Sequence, residues 1–481
     1  MTASQHRPAS LAETLGASVA EAARARLAET PGPGLARPDG PALTKAPGPG
    51  LAEAAGAELD VLLAGADRTL AADYPGERPA RQPVHTAYVP ADAYQPGLPA
   101  RWGSQALDAL AAWAPGPADF AAAMGLSPGL AADVLPLVRA KLAAEPVEDL
   151  RLDFEDGYGD RGDEAEDADA AGAAAALAAA VAAGSAPPFT GVRCKSLEPG
   201  TRRRAIRTLD IFLAGLPRGG PTRGRQLPPG FAVTLPKVTS AEQVSAMARL
   251  CDRLEEAHGL APGRLVFEVQ VETPQVILGA DGTAVIARCV HAAGGRLVGL
   301  HYGTYDYSAA LGIAAGYQSM EHPVADYARA VMQVAVAGTG VRLSDGSTNV
   351  LPGGGRDAAV SAWRLHARLV RRSLERGFYQ GWDLHPGHLP SRYAATYGFF
   401  REGMPLACAR LRGYAARTGG GLLEEPATAR ALAGYLARGL DCGAVSAAEV
   451  AALAGLDRAG LDALRGVSPA VSSGARRDDH G

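Results

Sequence analysis

VFEVQVETP, residues 266–274, and LVGLHYGTYDYSA, residues 297–309, each read as an apolar strand running into a carboxylate, Glu272 in the first and Asp306 in the second. In the first, Phe267, Val269 and Val271 alternate with Glu268, Gln270 and Glu272, so one face of the strand is polar along its length. A barrel interior is one place for such a face. By strand rise Glu268 lies about 13 Å deeper than Glu272, which makes Glu268 a structural group and leaves Glu272 at the rim. A strand that breaks into polar residues before a helix is where α/β enzymes place chemistry.

Outward from this pair, the same pattern recurs. Candidate strands begin at Val84 (VHTAYVP), Leu150 (LRLDFEDGYG), Gly191 (GVRCKSL), Phe231 (FAVTLPKV), Val266, Leu297, Val341 (VRLSDG) and Gly377 (GFYQGWDLHP), with helical stretches between most of them. The clearest helix follows Val238: Ser240 and Gln243 form a capping box, Val244, Met247, Leu250 and Leu254 share a face, and Gly259 ends it. Strand, helix and strand in repetition imply parallel pairing, and eight such units close a barrel. No Gly-rich dinucleotide fingerprint follows the first strand. The expected organisation is a helical, Pro/Gly-linked extension over 1–80, a (β/α)8 barrel over 81–400, and a helical segment with a disordered tail over 401–481. Within the extension Leu11 to Glu29 reads as helix and PGPGLARPDGPALTKAPGPG (31–50) as irregular connector. In the last segment Leu406 to Ala416, Thr428 to Arg438 and Ala447 to Leu464 read as helices.

The chain has 481 residues, and its 47 Lys and Arg against 51 Asp and Glu leave a net charge of -4, too little basic field for a nucleic-acid partner. Five cysteines without a CxxC pair indicate neither a disulfide framework nor a zinc site, so a reduced, cytoplasmic protein is expected. The one membrane-like run, Ala170 to Ala183, is shorter than a span and follows a cluster of acids suited to a helix start, so no membrane partner is expected.

Two neighbouring carboxylates repel unless a cation lies between them, and hard Mg2+ accepts one or two carboxylates plus water and substrate oxygens. Glu272 and Asp306 are therefore the candidate metal ligands, set against the plainer reading in which each pairs with a nearby Arg or Lys. Arg193 in the third strand suits a carboxylate or carbonyl through its planar fork, and equally suits the acids of the second strand. Lys237, after the fourth strand, carries the same two readings. Glu155 and Asp156 follow the second strand, near enough to a rim to bond metal-bound water or to orient Arg193. His385, before Pro386 and Gly387, is either a catalytic group or a satisfied structural one. HExxH, GxSxG and Walker signatures are missing, which removes the common zinc-protease, serine-hydrolase and P-loop readings.

Taken in order, YVP (88–90), DFEDGYG (153–159), VRCKS (192–196), LPKV (235–238), ETP (272–274), GTYDYSA (303–309) and DLHPGHL (383–389) resemble the strand ends of the citrate lyase β-subunit and HpcH/HpaI aldolase family, with a secondary likeness to malate synthase. The resemblance covers about Val84 to Phe400. It implies a TIM barrel of the phosphoenolpyruvate/pyruvate-binding type and Mg2+, with Mn2+ as an alternative, on Glu272 and Asp306. It also implies substrate contacts from Arg193, Lys195, Lys237, Gly303 and Thr304, with Glu155, Asp156 and His385 beside Arg193 as candidate catalytic groups. The implied activity is a carbon–carbon lyase or aldolase acting through a Mg2+-stabilised enolate on a small 2-oxo or 3-hydroxy acid or its acyl-CoA thioester. Malate synthase-like condensation of acetyl-CoA with an oxo acid, and a non-catalytic barrel subunit, stand as alternatives. Members of that family are commonly oligomeric, so a homo-oligomer is expected. Lys195 departs from the family's usual asparagine, the region before Arg81 has no counterpart, and the C-terminal catalytic aspartate of malate synthase has no equivalent here.

Overall fold

The computed structural model describes residues 49–217, 226–228, 230–416 and 425–467. The proposed Leu11 to Glu29 helix and the proposed disordered tail lie outside the described residues. All eight sequence-read strands form: β1 (His85–Pro90), β2 (Asp149–Asp153), β3 (Phe189–Arg193), β4 (Ala232–Leu235), β5 (Val266–Val271), β6 (Leu297–Tyr302), β7 (Arg342–Ser344) and β8 (Gly381–Asp383). Every pairing is parallel, in the order β7-β6-β5-β4-β3-β2-β1-β8. A bridge between Ser344 and Gln380 joins the two ends, and the sheet closes into an α/β barrel of the TIM type with added helices.

The alternation in β5 sorts its residues as the pattern requires. Phe267, Val269 and Val271 are fully buried in the apolar layer between wall and helices. Glu268 faces inward and is held by Arg151 Nε and Nη2 at 3.0 and 2.9 Å, Thr234 Oγ1 at 2.5 Å and His301 Nε2 at 3.0 Å. Arg151 also pairs with Asp149, which accepts from Thr86 Oγ1 at 2.9 Å. A polar layer of this kind survives burial because each charge has a partner of opposite sign.

The helix after β4, Ala241–His258, carries the expected capping box and ends at Gly259 in the left-handed region (φ 64°), burying Val244, Met247, Cys251 and Leu254. A second apolar core forms where helices Leu98–Trp113, Pro117–Met124 and Pro128–Ala144 meet Leu389–Ala415 and the helices after it. Three features differ from the sequence reading. The last two residues of the Pro/Gly connector open a 25-residue helix, Pro49–Asp73, because proline fits a first turn where its missing N–H is not needed. The helix Leu389–Ala415 runs unbroken through position 400. The stretch Ala447 to Leu464 is two helices, Ala447–Ala454 and Arg458–Arg465, divided at Gly455 (φ 71°). The described residues before Ala66 form a compact unit separate from Ala66 onward, and the barrel lies wholly in the latter. No single described helix is long and apolar enough to cross a membrane.

Candidate active site at the carboxyl ends of the strands

The turn after β2 is built on Asp153. Its carboxylate accepts the Glu155 and Gly157 backbone N–H groups, each at 2.9 Å, and binds Arg193 through Nε and Nη2, each at 2.6 Å. A Cβ on residue 157 would lie 2.5 Å from Asp153 Oδ2, so only glycine lets the chain wrap this closely. Wrapping points Glu155 inward, where it is buried, and leaves Asp156 half exposed. Arg193 reaches Glu155 at 3.2 Å and lies 4.8 Å above the ring of Tyr88, an arrangement that fixes the guanidinium plane.

After β4 the chain passes through Pro236 into Lys237, the one described non-glycine residue with positive φ (53°). That conformation costs a side-chain-bearing residue about 1–2 kcal/mol. It is held by the backbone N–H of Lys237 donating to Glu272 Oε1 at 2.8 Å. The ammonium then meets Glu155 at 2.5 Å, Asp156 at 2.9 Å and Asp306 at 3.6 Å. One lysine thus ties together the ends of β2, β5 and β6.

The charges do not balance. Among the described residues, the only cations paired with the five carboxylates Asp153, Glu155, Asp156, Glu272 and Asp306 are Arg193 and Lys237. Burial, the largest cause, raises Glu272, only 2% exposed, and with the charges of Glu155 and Asp306 it prevails over the pull of Lys237 and Arg193, taking its carboxyl up to about 8. Burial likewise raises Glu155 against Arg193 and Lys237. Burial works to raise Asp156 too, but its hydrogen bond and attraction to Lys237 bring it below the usual value.

Because folded Glu272 keeps a proton that the unfolded chain has released, stability contributed there is present below the ordinary value of 4.5 and is lost as pH rises through about 8. Without divalent metal, the wild type is expected to lose stability between pH 6 and pH 9 relative to Glu272→Gln, measured by urea unfolding at both ends. Equal slopes would show that Glu272 is ionised throughout.

Gly303 makes room for this carboxylate. A Cβ there would stand 2.6 Å from Glu272 Cβ and 2.8 Å from its Oε2. Gly303→Ala is expected to cost about 1–3 kcal/mol by overpacking, read from the midpoint of chemical unfolding. Thr304 is buried and donates to the Ser347 carbonyl at 3.3 Å, so its hydroxyl fastens the loop after β7.

The structure brings Glu155, Asp156, Arg193, Lys237, Glu272 and Asp306 together, with Gly303 against Glu272. It parts Lys195 and His385 from them. β3 ends at Arg193, and beyond it the strand alternation no longer applies. Lys195 turns to the carbonyls of Phe154 and Gly159 at 2.9 and 3.0 Å and to Glu166 at 3.2 Å, anchoring the loop after β2. His385 Nδ1 accepts the Gly387 N–H at 3.0 Å as the cap of a short turn, and none of its hydrogen bonds reaches the acidic cluster. Tyr88, Asp153 and Gln270 were not singled out as site residues by sequence reasoning. Gln270, on the polar face of β5, donates to Glu272 at 3.2 Å, and its place two residues before Glu272 was the available signal.

Among the described residues no group of three or more His, Cys, Asp and Glu is arranged for metal coordination. Mg2+ does not need one, since one or two carboxylates completed by water and substrate suffice. Glu272 and Asp306 fit that requirement: they are hard oxygen donors, with Asp306 close enough for its charge to act on Glu272, in a cluster whose carboxylates outnumber its two cations.

The barrel fold is shared with a solved structure, and two more show a weaker likeness. A citrate lyase from Burkholderia xenovorans LB400 matches at TM-score 0.51 and 17% identity, covering 79% of this chain and 98% of that one. The citrate lyase β subunit of M. tuberculosis, complexed with oxaloacetate and magnesium, matches at TM-score 0.37 and 20% identity, covering 66% and 98%. The malate synthase of Haloferax volcanii, as a lead(II) complex, matches at TM-score 0.38 and 16% identity over 52% of this chain, which spans 64% of that chain's length. No curated protein matches. Residues 63–468 match a family described as a domain of unknown function, DUF6986, and with most of its length so matched the chain belongs to that family.

Proposed function

We propose that this protein is a Mg2+-dependent carbon–carbon lyase or aldolase acting on a small 2-oxo or 3-hydroxy acid, free or as an acyl-CoA thioester. The observation that carries the reading is the surplus of carboxylates gathered around Lys237 at the carboxyl rim of a closed barrel, the end where barrel enzymes work. Glu272 and Asp306 hold the cation, which when bound acts as a Lewis acid toward a substrate carbonyl oxygen.

The remaining roles belong to the chain. Arg193, fixed by Asp153, Glu155, Gln270 and Tyr88, has one N–H left on Nη2 to orient the carboxylate or carbonyl end of the substrate. Lys237 keeps a positive charge over the reacting end, its ammonium stabilised by Glu272 and Glu155 against the cost of burial. Glu155 and Asp156 share that lysine yet are pushed in opposite directions, one toward keeping its proton and the other toward losing it. A pair split in this way suits proton transfer, with Asp156 as acceptor and Glu155 as donor.

The test is turnover by the full chain of a panel of 2-oxo acids, 3-hydroxy acids and their CoA thioesters, with and without Mg2+ or Mn2+. Carbonyl product is followed in one arm, and thiol release from acetyl-CoA plus glyoxylate in another. Cleavage that needs the metal supports the proposal. Thiol release alone would replace it with condensation, and silence across the panel from a folded protein would leave a non-catalytic barrel.

A further inference from the structure

At the end of the barrel opposite the acidic rim, the first residues of the strands surround a cavity of about 230 Å3. A second, of about 280 Å3, adjoins it and shares Arg78, Ala80 and Arg342. Four arginines line the first cavity, Arg78, Arg151, Arg264 and Arg342, against two carboxylates, Asp149 and Glu268. Arg151 answers both acids. The other three guanidinium groups have no carboxylate within salt-bridge distance among the described residues.

What they do have is weaker. Arg342 donates to the Ala80 carbonyl at 2.7 Å, and Arg264 to the carbonyls of Leu227 and Pro228 at 3.2 and 2.8 Å. Arg78 packs over Gly340, where a Cβ would lie 3.3 Å from its Nε. Burial, the largest cause, brings Arg342 down to about 10, with the charges of Arg78 and Arg438 adding to it against the opposing pull of Asp149 and Asp441. A second observation points into the same space: His301, 2% exposed, lines the cavity with Nδ1 unpartnered, while its Nε2 faces Glu268 at 3.0 Å. Buried polar atoms without partners are rare enough to require an explanation, and a bound ligand is one.

We infer that this mouth of the barrel binds a small molecule carrying two or more oxyanion charges, gripped by Arg78, Arg264 and Arg342, with His301 at its base able to donate from Nδ1 when the ring carries both protons, Nε2–H being directed to Glu268. Guanidinium forks match carboxylate and phosphate oxygens in pairs, and the room beyond a single oxyanion accommodates a second. The site lies at the opposite end of the barrel from the acidic rim and shares none of its residues.

The experiment is calorimetric titration of the full chain with sodium pyrophosphate and, separately, with tricarballylate, at constant ionic strength set by NaCl. Saturable binding of one equivalent is expected, and the tighter arm tells phosphate from carboxylate recognition. Arg342→Gln in β7 and Arg264→Gln in the loop before β5, checked for folding by circular dichroism, should each weaken it about ten-fold or more. Lys237→Met should leave it unchanged. Absence of saturable binding in both arms would overturn the inference. So would arginine variants that bind as the wild type does, or loss of binding in Lys237→Met.

Discussion

Glu272→Gln and Asp306→Asn are each expected to lower Mg2+-supported turnover by about three orders of magnitude, because Lewis-acid stabilisation is worth several kcal/mol and each 1.36 kcal/mol is a factor of ten. The substitutions nearly preserve shape. Gln at 272 can still accept the Lys237 N–H, so the left-handed turn survives. The companion measurement is thermal unfolding with and without Mg2+: the wild type should melt higher in its presence and the two variants should not. Folded variants that kept both responses would show that the cation, if any, is held elsewhere.

The largest effect on stability is expected at the other end of the barrel. Arg151 is 3% exposed and is the cation that Asp149 and Glu268 share. Arg151→Met removes that charge and leaves two buried carboxylates facing each other, with His301 as the nearest relief for Glu268. Breaking a buried pair in this way costs about 3–5 kcal/mol. Equilibrium denaturation at pH 7 measures it. A loss below 1 kcal/mol would mean that water reaches this layer and that the salt bridges do little.

Much of this was legible in the sequence, for reasons that particular residues make plain. Strands buried against helices on one side and packed inside a barrel on the other leave either apolar runs or the alternation seen in Phe267 to Glu272, and all eight were found from those runs. The alternation also separated Glu268 from Glu272 by depth, and Glu268 sits in a satisfied ion-pair layer.

The readings that failed did so where local pattern stops carrying information. Alternation was extended past Arg193 into residues that no longer form strand, so it gave no sign that Lys195 holds the carbonyls of Phe154 and Gly159. The convergence on Lys237 depends on a left-handed backbone at a lysine, and a residue with a side chain announces no such conformation. The helix at Pro49 was hidden by the proline and glycine repeat leading into it. The cationic mouth had no motif at all, since Arg78, Arg264 and Arg342 come from separate elements and only closure of the barrel gathers them.

Closure itself is uneven. β7 and β8 are three residues each and meet through one bridge, helped by Asp345 N–H to the Gln380 carbonyl at 2.8 Å and by Gln82 reaching the Leu343 carbonyl at 3.1 Å. Arg329 and Ser373 brace Asp345 from outside, each at 2.5 Å. Like a barrel with one loosely joined stave, the wall has a preferred line of parting. Deuterium should enter the amides of 342–344 and 381–383 well before those of β5 and β6, so the protein can yield along that line while the staves bearing Glu272 and Lys237 keep their places.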